Sequence, residues 1–217
     1  MDWLENGNSL NIADYFQSDG AYYLINDLVD LQNFLGFSSV TQKFRLTNSI
    51  DLSTAPGFFI PYLSVTEFDG SDHTISNISL NLSTNSNNVG LFGYANNSSI
   101  KNIGVVGGSM TGYKYVGGLV GYNNNTPIAN SYSVVAATGL SSVGGLVGYN
   151  SNSAITNSYA GGTIAGITYG QTFTNAGTGV GGLVGDNAGA SSLITSSYAE
   201  GSVSAKAKAG GLVGNNS

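Results

Sequence analysis

The chain has 217 residues, among them 32 glycines and no cysteine, with only 8% charged residues and a net charge of −6. An acidic balance supplies no basic surface for nucleic acid or anionic lipid, and the lack of cysteine excludes disulfide staples and thiolate metal sites. A mean hydropathy of +0.06 argues against disorder, while no apolar run approaches the roughly 20 residues of a membrane-crossing helix.

Residues 1–20 read as a lead-in or cap, in which Trp3, Leu4, Leu10, Ile12, Tyr15 and Phe16 build an apolar-faced turn. The opening Met1 to Glu5 lacks the basic and apolar regions of a signal peptide. Residues 21–88 form a less regular stretch. Here Tyr22-Tyr23-Leu24-Ile25, followed by Leu28 and Leu31, predicts a strand leading into a short helix with Asp27 or Asn26 as its N-cap. Strands are expected at Phe44-Arg45-Leu46 and over Thr74 to Leu82, where apolar residues alternate with Ser and Asn as on a strand with one wet face. Between them, Asp69-Gly70-Ser71-Asp72-His73 gathers two carboxylates and the sole histidine. Asp-Gly is a turn signal, so the segment is expected to be a tight turn with His73 opening the next strand.

From residue 89 the chain repeats itself. Val-Gly-Gly-Leu-Val-Gly stands at Val116 to Gly121, Val143 to Gly148 and Val180 to Gly185, with variants at Val89 to Gly93 and Ala209 to Gly214. The starts are 27, 27, 37 and 29 residues apart, a period at which one repeat makes one coil of a solenoid. Asn130-Ser131-Tyr132, Asn157-Ser158-Tyr159 and Ser196-Ser197-Tyr198 keep step with it, with Asn102-Ile103 as a degenerate first copy. Each period is expected to hold about three short strands and three corners, because Gly and Asn interrupt the Val, Ile, Thr and Tyr runs too often for helices. The corner is placed at the paired glycines, where Gly supplies backbone angles that β-branched residues cannot adopt. No Pro- or Ser-rich linker or charge block divides the chain, so it reads as one continuous domain. The chain is expected to be either a cytosolic protein or an excised piece of a longer exported one, and the second is favoured because Gly210 to Ser217 stops in mid-repeat.

These repeats resemble the GLUG motif of large bacterial surface and secreted proteins, including filamentous-haemagglutinin-like adhesins and the non-catalytic regions of immunoglobulin A peptidases. The upstream Tyr22 to Ile25, Asp30-Leu31, Phe44 to Leu46, Ile50 to Leu52, Phe68 to Gly70 and His73 to Asn77 are similar to the usual prelude of such repeats. The resemblance covers residues 21–217 and implies an all-β, right-handed parallel β-helix used as a rod or stalk. The Asn-Pro motifs of the export domain of two-partner-secreted adhesins are missing. A rise of about 4.8 Å per coil would stack equivalent positions into ladders, and about seven coils would make a rod of roughly 35 Å.

Catalysis on such a rod needs carboxylates, a base or a metal gathered on one outer face. Between Asp72 and Asp186 the chain has no acid, only Lys101 and Lys114, so no enzyme activity, metal or cofactor is expected of the regular coils. The six cations, Lys43, Arg45, Lys101, Lys114, Lys206 and Lys208, are expected to form no large cluster. Tyr132, Tyr159 and Tyr198 are expected to be a stacked ladder rather than platforms for sugar rings. Asn123, Asn150, Asn187 and Asn216 are expected to form an asparagine ladder, and Tyr94, Tyr122 and Tyr149 to be partly exposed. Asn77, Asn81, Asn96 and Asn97 match the Asn-x-Ser glycosylation pattern.

The spacing of 37 reflects about ten extra residues around 167–175. This insertion carries Tyr169, Gln171, Phe173 and Asn175, and is expected to be an aromatic flap folded back over the sheet or, if the segment binds anything itself, its ligand-binding residues. The expected partners are a host-cell glycan or receptor, or neighbouring repeats of the same long chain, with no nucleic acid and no membrane insertion. Function is expected to be that of a non-enzymatic segment of a secreted or surface-exposed adhesin; the alternative is an accessory region of a secreted peptidase or glycan-degrading enzyme.

Overall fold

The computed structural model describes residues 10–82, 86–167, 179–206 and 208–217. They form a parallel β-solenoid of about six turns, one fewer than the expected seven, although the longest axial column of strands does have seven rungs. Each regular turn crosses four sheets, not three. Sheet D contains Lys114–Gly117 and Ser141–Gly144, and sheet C contains Val120–Asn124 and Val147–Ser151. Sheet A contains Ile128–Ala129 and Ile155–Thr156, and sheet B contains Tyr132–Gly139. The additional corner is the left-handed residue at Asn102, Asn130, Asn157 and Ser196, with φ of 53, 50, 48 and 49°. Asn tolerates this region better than most residues, and it separates the short Ile strands from the Tyr strands.

Register follows the sequence repeat. Val89, Val116, Val143, Val180 and Ala209 pair in succession along sheet D. The next apolar position of the repeat also points inward, and Leu91, Leu119, Leu146 and Leu183 are buried. The paired glycines between these positions do not have positive φ, so their role differs from the one expected. A Cβ on Gly145 would lie 2.3 Å from the Gly182 carbonyl oxygen, and one on Gly118 would lie 2.6 Å from the Gly145 carbonyl oxygen. Close approach of neighbouring turns, rather than a special backbone angle, demands glycine here. Positive φ falls instead on Asn88, Tyr115 and Ser142, one residue before each valine.

The N-terminal end is closed by aromatic packing. Leu28–Asn33 is helical, and the Asp27 carboxylate accepts a hydrogen bond from the Asp30 N–H as its N-cap. Beyond it, Phe34 lies 4.6 Å from Phe44 and 5.5 Å from Phe68 between ring centroids, and Phe16 packs edge-on against both Phe37 and Phe44. The inward row Phe44, Phe68, Ile100, Ile128 and Ile155 then continues along sheet A. In Thr74–Asn81 the alternation slips at Asn77, whose φ of 58° lets both Ile75 and Ile78 face the core.

Candidate functional site

Tyr169, Gln171, Phe173 and Asn175 lie outside the described residues. The coil that bears them is anchored where the Ile167 N–H donates to the Gly139 carbonyl at 2.8 Å, and the described chain resumes at Gly179.

Three side-chain arrays run along the described coils. In the first, Asn123 Nδ2 donates to Asn150 Oδ1, Asn150 to Asn187 and Asn187 to Asn216, each at 2.8 Å. Each of the first three also donates to a backbone carbonyl of its own turn, those of Thr126, Ser153 and Ser192. The expected asparagine ladder is therefore present. Its first acceptor, Asn123 Oδ1, has no partner because the preceding rung carries Ala95.

The second array is aromatic. Tyr132, Tyr159 and Tyr198 stack with centroids 4.8 and 5.1 Å apart and planes within 4°. A second column, Tyr62, Tyr94, Tyr122 and Tyr149, stacks at 5.7, 5.1 and 4.9 Å, with Tyr115 edge-on to the last two. Stacking covers the faces of the interior rings and leaves their edges and hydroxyls outward, so only a terminal ring keeps a free face. Tyr62 is one such terminus and is 39% exposed. It borders an apolar cleft of about 480 Å³ lined also by Leu35, Ser38, Phe58, Phe59 and Pro61. Burial, then the neighbouring Tyr132 and Tyr198, raises the pKa of the Tyr159 phenol above its ordinary value.

The third array was not foreseen. Lys43, Arg45 and Lys101, distant in sequence, converge on the Tyr22 ring at 5.7, 3.8 and 6.0 Å from its centroid. The strand register brings them together, with Lys43 beside Glu67, Arg45 beside Asp69 and Asp69 beside Lys101. Lys101 Nζ lies 3.1 Å from Glu67 Oε1 and 3.7 Å from Asp69 Oδ2, and Arg45 Nη1 donates to Asp19 Oδ2 at 3.1 Å. The Tyr22 hydroxyl donates to Glu67 Oε1. Burial alone would raise the Glu67 pKa, but the Tyr22 hydroxyl and Lys101 outweigh it and hold the carboxyl below its usual value. The signal was present in the sequence as an apolar residue followed by a charge in Phe44-Arg45, Phe68-Asp69 and Ile100-Lys101. Only coil register could show that the three pairs are neighbours.

Asp69 also begins the expected turn. Its Oδ1 accepts from the Ser71 N–H at 2.9 Å and from Asn102 Nδ2 at 3.0 Å, while Ser71 and Asp72 take φ of 51 and 63°. The His73 N–H closes the turn on the Gly70 carbonyl at 2.9 Å, and His73 leads into Thr74–Asn81. Asp69 Oδ1 is thus engaged in shaping the turn and in tying it to the next turn through Asn102. Among the described residues, no three His, Cys, Asp or Glu side chains are grouped to hold a metal.

The model of the GLUG motif matches residues 139–165, which contain strands of all four sheets in succession. No curated protein matches the chain. Among solved structures, a Bacteroides ovatus protein provisionally assigned as an immunoglobulin A1 protease is similar, with a TM-score of 0.64 and 20% identity over 90% of this chain and 72% of that one. At that identity the likeness is one of fold. The chain thus carries a GLUG motif within a β-solenoid shared with a bacterial protein of that assignment.

Proposed function

We propose that this chain is a non-enzymatic, rod-forming segment of a bacterial secreted or surface-exposed adhesin. The observation that carries this reading is the continuity of the valine, asparagine and tyrosine rows. Side chains that could serve chemistry are used to bond or stack one turn on the next, which favours a stiff spacer. A host glycan or receptor would then be met by what departs from the rows, above all the insertion with Tyr169, Gln171, Phe173 and Asn175.

The purified chain should bind a glycan array or host cells, and binding should fall at least tenfold when the insertion is shortened to the 11-residue connection found between Tyr132 and Val143. Undiminished binding by the folded deletion variant would move the site elsewhere. The second reading, an accessory region of a secreted peptidase, is favoured by the likeness to the Bacteroides ovatus structure. Cleavage of immunoglobulin A1 by the isolated chain would count against both, since each assigns it no catalysis.

A further inference from the structure

The apolar cleft beside Tyr62 meets a second one, of about 300 Å³, at Leu35, which lines both, and Leu10 forms part of the wall of the second. Leu10, Leu35 and Tyr62 are three of the eight large apolar side chains left exposed among the described residues, so their meeting in one place marks a contact surface rather than scattered exposure. The lining is poorly equipped for a sugar. Ser38 and Tyr62 carry the only side-chain hydroxyls of the Tyr62 cleft, and both are engaged, Ser38 donating to the Leu35 carbonyl at 3.3 Å and Tyr62 accepting from Asn96 Nδ2 at 3.4 Å. A sugar buried there would leave most of its hydroxyls without a partner.

The chain itself supplies a better occupant. Trp3, the sole tryptophan, precedes Leu10 by seven residues, and seven residues span up to about 23–25 Å when extended, enough to pass from the wall of one cleft into the other. Tyr62 stacks on Tyr94 with planes 6° apart, and its opposite face is the one at this end of the column that no tyrosine covers. An indole brings a broad apolar face and a single polar N–H, which suits both the free ring and the apolar lining. Neither lining holds an acid that would repel Asp2 or Glu5 on either side of it. We propose that Trp3 seats on the free face of Tyr62 as the fifth ring of the column, so that the segment before Leu10 straps the N-terminal end of the rod. The strap closes this aromatic face to outside ligands.

The full chain has a single tryptophan, so its indole fluorescence reports Trp3 alone. In the folded chain the emission is expected to lie to the blue of that in urea, with acrylamide quenching severalfold weaker and independent of protein concentration. Tyr62→Ala should move both readings toward the urea values. Leu35→Asp should do the same from an exposed position outside the tyrosine column, and it decides the matter if Tyr62→Ala does not fold. A folded wild-type chain with solvent-like emission and quenching overturns the proposal. So does a shielded indole unmoved by Leu35→Asp, which places Trp3 on another surface, and so does shielding lost on dilution, which gives the cleft to Trp3 of a second copy.

Discussion

Asn150 shows how one residue holds two turns. It is fully buried, receives Asn123 Nδ2 on its oxygen, and donates to both Asn187 Oδ1 and the Ser153 carbonyl. Replacing it with Ala removes the donor from two acceptors, and a buried polar group left unpaired costs about 1–3 kcal/mol. Asn150→Ala is therefore expected to lose about 2–4 kcal/mol in urea unfolding. Asn216→Ala, at the exposed end of the same ladder, should lose no more than about 1 kcal/mol. Equal losses at the two positions would show that the ladder is not the source of the stabilisation.

At the scale of the element, the corner between sheets D and C depends on turns approaching too closely for a side chain. Gly118, Gly145, Gly182 and Gly211 occupy the same place in successive copies of the repeat. A Cβ at Gly145 would meet the backbone of the next turn, whereas one at Gly211 has nothing within 4 Å. Because a backbone contact cannot yield as a flexible side chain does, Gly145→Ala is expected to cost at least about 3 kcal/mol or to abolish soluble expression. Gly211→Ala should stay within about 0.5 kcal/mol of the parent. Thermal melts of the two variants check this, and a stable Gly145→Ala would mean that neighbouring turns slide apart more readily than their register implies.

For the whole molecule, charge is distributed unevenly along the rod, with ten of the 12 acids before residue 73. The N–H groups of Tyr22 and Ala21, then Arg45, hold Asp19 below its ordinary value of 3.8. The Asn77 amide and then Ser53 do the same for Asp51. Carboxyls with lowered folded pKa contribute stability that is complete above the unfolded value and is lost as pH falls through the folded one. Acidification from pH 7 to below about 3.8 should thus loosen the N-terminal turns first. Hydrogen-exchange protection measured by peptide should fall around residues 19–77 before it falls around 116–160. Loss in the reverse order would mean that these carboxylates do not govern the acid limit.

The repeat by itself determined the parallel solenoid, the valine column and the asparagine and tyrosine ladders. A fixed period places equivalent residues one above another whatever the path of the turn, and the Asp69 turn and a helix cap at Asn26 or Asp27, between which the structure chose Asp27, are local chemistry as well. Tertiary structure decided what the period leaves open. It decided that a turn has four sides, because one left-handed Asn makes a corner without changing the repeat length. It decided that the paired glycines are there for backbone approach. It also brought Lys43, Arg45 and Lys101 around Tyr22, since the irregular early turns follow no constant spacing from which their register could be counted.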